Sequence, residues 1–241
     1  LVEIILGKET KEEAINVCFD YVRKIGKTPI IVNDGRGFYT SRVFTTYVSE
    51  GINCLSEGIS PALIENAGKM AGMPVGPLSV ADEVSIELMY KILSQTVRDL
   101  GKDAVEENVL KVTDLFVNKL ERLGRKSGCG FYEYPKGEEK YLSPILKDHF
   151  RPSKSQPRLD FIKRRLLTRQ SIEALRCLEE NVLRSKVDGD VGSILGWGFP
   201  AYTGGALSYI NYRGIEQFIA DCKEFENVFG KRFSLSDSLI N

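Results

Sequence analysis

Apolar positions along this chain change their period once, near residue 35. Before that point, Leu1-Val2-Glu3-Ile4-Ile5-Leu6 and Thr28-Pro29-Ile30-Ile31-Val32 are short aliphatic runs that predict buried strands. Between them Ala14, Val17, Cys18, Tyr21, Val22 and Ile25 recur at helical spacing. Thr10 with Glu13 predicts a capping box at the start of that helix, and Gly26 predicts its end. The product is one β-α-β unit. A single unit of that kind cannot cover both faces of its strands, so it is expected to be the tail of a larger sheet.

Asn33-Asp34-Gly35-Arg36-Gly37 is a run of turn formers between the second strand and a long helix. Beyond it the pattern is almost entirely helical. Helices are predicted over 40–57, closed by Gly58; over 61–71, opened by Ser60 and Pro61; and over 80–100 and 105–123. Gly72-Met73-Pro74-Val75-Gly76-Pro77 separates the second from the third. A glycine loop over 124–130 leads into a strand over 131–135. The charged, proline-bearing stretch 136–157 reads as a linker. Four further helices are predicted over 160–184, 189–195, 203–212 and 215–229.

The two helical blocks resemble each other. Arg42, Glu50, Cys54 and Leu55 recur as Arg165, Glu173, Cys177 and Leu178, a constant offset of 123. Gly72, Gly76 and Leu78 align with Gly198, Gly205 and Leu207 once residues are inserted, after which Asp82 meets Asn211 and Glu87 meets Glu216. Two matches in the same order favour an internal duplication, and two similar helical units able to pack as a pseudo-dimer.

Charge changes the picture only by exclusion. The 241 residues carry 33 basic and 33 acidic side chains, which argues against a nucleic-acid or polybasic membrane surface. Five cysteines without a C-x-x-C pair read as buried thiols of an intracellular, reducing compartment. The lone His149 has no clustered partner for a metal. Gly124-Arg125-Lys126-Ser127 has the wrong order for a phosphate loop and reads as a tight turn. Phe131, Tyr132 and Tyr134 read as core aromatics, and Trp197 as part of a packed turn. Glu3 lies inside an apolar strand, either turned to solvent or buried with a partner. Ser41 reads as a helix-start residue. Residue chemistry alone names no activity.

Ordered motifs do. Leu1-Val2-Glu3-Ile4-Ile5, Asn33-Asp34-Gly35 with Gly37-Phe38, Arg42 with Glu50, Gly72-Met73-Pro74-Val75-Gly76-Pro77-Leu78 with Asp82-Glu83-Val84, and Gly124 through Tyr132 resemble the L-3-hydroxyacyl-CoA dehydrogenases. Arg165, Cys177-Leu178-Glu179, Asp190-Val191-Gly192, Gly196 through Pro200 and Gly204-Gly205 resemble the extra C-terminal repeat of multifunctional fatty-acid oxidation enzymes, the trifunctional α-subunit type above all.

The resemblance implies a mainly α fold: a short β-α-β remnant of a Rossmann-type NAD-binding domain over 1–35, a helical domain over 36–135, the linker 136–157, and a second, similar domain over 158–241. It implies NAD-dependent oxidation of 3-hydroxyacyl-CoA to 3-ketoacyl-CoA. The acid that orients the catalytic His falls on Glu3, and the family's substrate-facing Asn falls on Ser41. The His and the glycine-rich dinucleotide loop are expected before Leu1, so the 241 residues alone are expected to be inactive. Implied partners are the acyl-CoA, the chain's own N-terminal NAD-binding domain, and a second copy or a thiolase subunit. The implied setting is a mitochondrion or a bacterial cytoplasm, ahead of a peroxisome, because Ser238-Leu239-Ile240-Asn241 is not of the Ser-Lys-Leu type. A non-catalytic helical scaffold or acyl-CoA-binding module is the alternative. The helical half of a 6-phosphogluconate-type dehydrogenase is a third, against which the Gly-Phe…Arg and Gly-Phe-Tyr motifs weigh.

Overall fold

The computed structural model describes residues 1–236; Ser238–Asn241 lie outside them. Strands β1 (Val2–Leu6) and β2 (Pro29–Asn33) pair in parallel around helix α1 (Glu12–Lys24). Helices α2 (Thr40–Ser56), α3 (Pro61–Met70), α4 (Pro77–Val84), α5 (Ile86–Leu100) and α6 (Glu107–Asp114) follow. A small hairpin of β3 (Tyr132–Glu133) and β4 (Tyr141–Leu142) comes next, then α7 (Leu146–His149), α8 (Leu159–Glu179), α9 (Lys186–Trp197), α10 (Ser208–Arg213) and α11 (Ile215–Phe229). The fold is mainly α. Residues 1–47, 71–73 and 164–236 form one unit of packing, and 48–70 with 74–163 form another.

In the first unit the register runs from Val2 opposite Pro29 to Leu6 opposite Asn33. Ile30 and Val32 are buried on one face of the strands, where α9 packs. Gly192 permits that approach, since a Cβ there would lie 2.8 Å from Ile30 Cδ1 and 2.9 Å from Tyr39 Cε1. On α1 only Val22 is buried, while Val17 and Tyr21, with Ile25 just past its end, are exposed. The expected capping box does not form. Lys11 is the N-cap, without a side-chain cap, and the Thr10 hydroxyl accepts from the Gly7 N–H (2.9 Å), closing the turn behind it. Gly26 ends α1 as expected, in the left-handed region at φ +70°, with the Lys27 N–H returning to the Val22 carbonyl (3.1 Å).

Several predicted helices are shorter than their apolar period. The 80–100 run breaks at Ser85, whose φ is +88°, and α4 begins earlier, at Pro77. The break frees the Ile86 N–H to bond the Leu123 carbonyl (3.0 Å), and Ser85 Oγ accepts from Leu88 N–H (3.3 Å) to cap α5. The 105–123 run stops as an α-helix at Asp114 and unwinds through a π-type turn over Leu115–Lys119. Arg122 is drawn away to the Gly130 carbonyl (2.8 Å) and the Glu133 carboxylate (2.6 Å). Residues 136–157 carry β4 and α7, with Leu146 buried. The 203–212 helix starts only at Ser208, because Gly204 and Gly205 are left-handed.

The repeat read from sequence is present in the backbone. Past α2, the N–H groups of Glu57, Gly58 and Ile59 bond the carbonyls of Asn53, Leu55 and Cys54. Past α8, those of Glu180, Asn181 and Val182 bond Arg176, Leu178 and Cys177, each 123 residues later. Gly58 and Asn181 are both left-handed, at φ +81° and +59°. Helices α5 and α11 have 15 residues each and start 129 residues apart; each follows a positive-φ corner, Ser85 (+88°) or Gly214 (+86°).

A carboxylate fastens each copy. Glu65 Oε1 accepts from the Leu78 and Ser79 N–H groups at the start of α4 (2.7 and 3.4 Å), across Gly76. Asp190 Oδ1 accepts from the Leu207 and Ser208 N–H groups at the start of α10 (2.9 and 3.0 Å), across Gly205.

The first copy has an addition. Asp82 accepts the N–H groups of Phe131 (2.8 Å) and Tyr132 (2.9 Å) and the Tyr134 hydroxyl (3.0 Å), seating the hairpin. Phe131 and Tyr132 are buried, as their reading as core aromatics required, whereas Tyr134 is only half-buried. Burial pushes the Asp82 carboxyl up to about 6, against those hydrogen bonds. An unfolded aspartate titrates near ~3.9. Stability from this site is therefore full below about pH 4 and falls as pH rises through 6. Asp82→Asn is expected to remove that slope, read by urea unfolding at pH 4 and pH 7.

Candidate functional site

Glu3 is neither stranded in solvent nor sealed in the core. From β1 it reaches the N-terminus of α2, where Oε1 accepts the N–H groups of Tyr39 and Thr40 (both 3.0 Å) and Oε2 accepts the Thr40 hydroxyl (2.5 Å). The preceding turn aims those donors. Gly37 and Phe38 are left-handed at φ +79° and +49°, and the Arg42 N–H returns to the Gly37 carbonyl (3.1 Å). A carboxylate at the start of this 17-residue helix meets the positive end of its dipole and satisfies N–H groups that have no partner within the helix.

Ser41 follows in the same first turn and is exposed. Its carbonyl accepts the Thr45 hydroxyl (2.7 Å), so the side chain is not needed to hold the helix. The two residues singled out from sequence thus meet at one helix start. Thr40, the residue that joins Glu3 to the helix, was not singled out; a threonine at the strand–turn–helix junction was its only signal.

Beneath this start, Tyr39 is fully buried and donates to the Gly189 carbonyl (2.7 Å). Burial pushes its phenol well up, keeping it a neutral donor. Trp197 meets the Tyr39 ring edge-on at 5.5 Å and donates from Nε1 to Gln170 (2.9 Å) at the end of α9, not in a separate turn.

One helical turn on, Arg42 forms a charged cluster. Its Nε donates to Glu173 (2.7 Å) and its two terminal nitrogens to Glu180 (2.6 and 2.9 Å). Glu173 also accepts from Arg169 and Arg176, each at 3.1 Å. Burial pushes the Glu173 carboxyl up, but Arg169, Arg42 and Arg176 outweigh it and hold it at about 2. Arg42 and Glu173 are both repeat positions. Their sequence likeness revealed the repeat but not this pairing.

The β1–α1 turn does not fit a dinucleotide phosphate. Gly7 is its one glycine, the Gly7 N–H is already taken by Thr10, and Glu12 and Glu13 fill the first helical turn, where a pyrophosphate would need free donors and positive charge. Among the described residues no group of three His, Cys, Asp or Glu could hold a metal ion, and no helix is long and apolar enough to cross a membrane.

Residues 1–35 match the family model described as the 3-hydroxyacyl-CoA dehydrogenase NAD binding domain, and residues 37–134 match that of the 3-hydroxyacyl-CoA dehydrogenase C-terminal domain. Among curated proteins, the fatty acid oxidation complex subunit alpha of Shewanella loihica is 35% identical and that of Shewanella frigidimarina 36%, each over 100% of this chain and 34% of the relative. The chain therefore spans about a third of the length of the relatives it matches. Among solved structures, 3-hydroxybutyryl-CoA dehydrogenase from Escherichia coli superposes with a TM-score of 0.77 over 99% of this chain and 66% of its own, at 19% identity, a likeness of fold. The (S)-3-hydroxybutyryl-CoA dehydrogenase from Ralstonia eutropha gives 0.50 at 28% identity over 56% of this chain and 48% of its own. The family is one of NAD-using oxidoreductases. With its strand pair matched to one domain model and its first helical block to the other, the chain belongs to the 3-hydroxyacyl-CoA dehydrogenase family.

Proposed function

We propose that the chain supplies the orienting acid and the acyl-facing helices of an NAD-dependent 3-hydroxyacyl-CoA dehydrogenase, acting on 3-hydroxyacyl-CoA in fatty-acid β-oxidation. The single observation that carries the reading is the fixed carboxylate of Glu3. Its three donors use three of a carboxylate's roughly four lone-pair positions, leaving one on Oε2. An imidazole N–H donated there is held in one tautomer. Its other nitrogen, made more basic by the charge, then takes the proton of the substrate hydroxyl. That His and the dinucleotide site belong to residues outside these 241, and the chain itself contributes position and charge.

Ser41 is the proposed contact to the substrate oxygen. Its one hydroxyl donor is shorter than the carboxamide that the family resemblance implies. Residues 1–35 then belong to the NAD-binding domain, 36–135 and 158–241 are two helical domains, and 136–157 connects them; the separate matches over 1–35 and 37–134 support the first division. The exposed Val17 and Tyr21 of α1, with Ile25 just past its end, are the proposed seat for the rest of the NAD-binding domain. The relatives are named as subunits of a complex in bacteria, which supports an assembled enzyme, with a thiolase subunit or a second copy, in a bacterial cytoplasm.

In the intact enzyme, Glu3→Gln is expected to lower kcat roughly 100-fold with little change in KM, the scale of one lost acid–base orientation. The purified 241 residues are expected to form no NADH from 3-hydroxybutyryl-CoA. A Glu3→Gln enzyme with full kcat would remove Glu3 from the reaction, and NADH from the isolated chain would remove the claim that the base lies elsewhere. The second reading, a helical module that binds acyl-CoA without oxidising it, is favoured by the serine at position 41. It predicts acyl-CoA binding by the intact protein with no turnover at all.

A further inference from the structure

The two copies of the helical frame differ in one respect that points to a ligand. In the first, the Gly130-Phe131-Tyr132 segment lies over Glu65 and Asp82, and Gly124, ahead of it, lies against the Ser85 corner. The Tyr132 hydroxyl donates to Glu65 Oε2 (2.7 Å), the Phe131 and Tyr132 N–H groups bond Asp82, and Gly130 is needed because a Cβ there would collide with the Asp82 carboxylate. In the second copy the equivalent positions are Asp190, Ser208, Asn211 and Gly214, and none of the described residues covers them in this way.

What remains is an apolar groove of about 220 Å³, walled by Leu175, Leu178, Leu207 and Ile215, with Lys186, Asp190 and Asn211 on its polar side. Exposure records the missing cover. Ile86, at the start of α5, is 0% exposed, and its counterpart Ile215 is 52% exposed. Asp82 is buried and Asn211 is exposed. The Ile86 N–H bonds the Leu123 carbonyl that leads into the covering segment, whereas the Ile215 N–H has no acceptor among the described residues.

The acceptors match as well as the walls. In Glu65, Oε1 takes the two helix-start N–H groups and Oε2 is left for the tyrosine hydroxyl. In Asp190, Oδ1 takes the two helix-start N–H groups, and Oδ2 holds only the Ser208 hydroxyl (2.6 Å), which leaves it a further lone pair. This hydrogen-bond-accepting end faces an apolar channel, complementary to a phenol on an extended backbone.

We propose that the groove of the second copy is a docking site for an extended polypeptide segment from outside the described residues that carries Gly-aromatic-Tyr. Its tyrosine hydroxyl donates to Asp190 and its backbone N–H to the Asn211 side-chain oxygen. The mode is the one this chain already uses on itself at 130–132.

The test is a titration of the 241-residue chain with a synthetic peptide of sequence 128–134 carrying Cys129→Ser, followed by NMR. Saturable binding is expected, with shifts on α10 and the start of α11. The peptide with Tyr132→Phe is expected to bind about ten- to a hundredfold more weakly, the scale of one hydrogen bond to a carboxylate. Ile215→Glu in the chain, an exposed first position of a helix, is expected to weaken binding at least tenfold with the circular-dichroism spectrum unchanged. Absence of saturable binding would overturn the proposal, as would equal binding by both peptides and both chains. Displacement of the peptide by palmitoyl-CoA at the same residues would give the groove to an acyl chain instead. A dimer of the chain that Ile215→Glu dissociates would give it to a second copy, and either result overturns the peptide assignment.

Discussion

Replacing Glu173 with alanine is expected to destabilise the protein by about 3–5 kcal/mol at pH 7, the usual scale for removing one partner from a buried charge cluster. Three guanidinium groups, those of Arg42, Arg169 and Arg176, converge on this carboxylate, and Glu180 engages only Arg42. Without Glu173 the three cations face one another at a site that is about nine-tenths buried. For a chain of this length each kcal/mol is worth about 2–4 °C in Tm, so a fall of roughly 10 °C is expected by differential scanning calorimetry. The acid dependence gives a second reading. Held at about 2, well below the ~4.3 of an unfolded glutamate, Glu173 contributes stability that is complete above about pH 4.3 and disappears as pH falls through 2. Wild type and Glu173→Ala should therefore differ most at neutral pH and converge in strong acid. A variant as stable as wild type at pH 7 would mean that the cluster contributes nothing.

Gly205→Ala is expected to cost about 4 kcal/mol, from three separate sources. The residue sits at φ +121°, outside the range of ordinary side chains, which costs roughly 1–3 kcal/mol. The new Cβ would lie 2.5 Å from Asp190 Oδ1 and 2.6 Å from Asp190 Cα, so the backbone of α9 must move and rotation of a side chain gives no relief; overpacking of that kind costs about 1–3 kcal/mol. The movement also breaks the Asp190 bonds to the start of α10, a helix cap worth about 1 kcal/mol. Gly101 supplies the control. Its φ is +91°, but open space surrounds its missing Cβ, so Gly101→Ala carries only the backbone term. Urea unfolding of the two variants separates conformational strain from collision. Equal losses would refute the packing account.

How much of this was legible in the sequence depended on whether a signal was local. Gly26, Gly58 and the Ile215–Phe229 helix were readable, because a left-handed stop or an uninterrupted apolar period is decided within a few residues. The duplication was readable too, since a constant offset survives divergence. The break at Ser85 was not. A lone serine inside an apolar period is a weak cap signal, although Ser85 does cap α5, and the partner that holds the break lies 38 residues away in the Leu123 carbonyl that accepts the Ile86 N–H. The π-type turn after Asp114 has the same origin, in the pull of Gly130 and Glu133 on Arg122. Thr10 shows the opposite error: its motif was present, but the Gly7 N–H claimed the hydroxyl first. At the site, Glu3 and Ser41 came from family likeness, and residue chemistry alone left Glu3 undecided. Its partner is a helix N-terminus brought alongside by folding, which no spacing rule encodes.

The corner at Ser85 has a counterpart in the other copy. Gly214, which bends without strain, occupies the matching position at nearly the same φ. A bend retained by serine is imposed by its neighbours and not chosen by the local chain. The elbow is closed from outside the helix: the Leu123 carbonyl accepts the Ile86 N–H (3.0 Å) that a continuous helix would return to the Asp82 carbonyl.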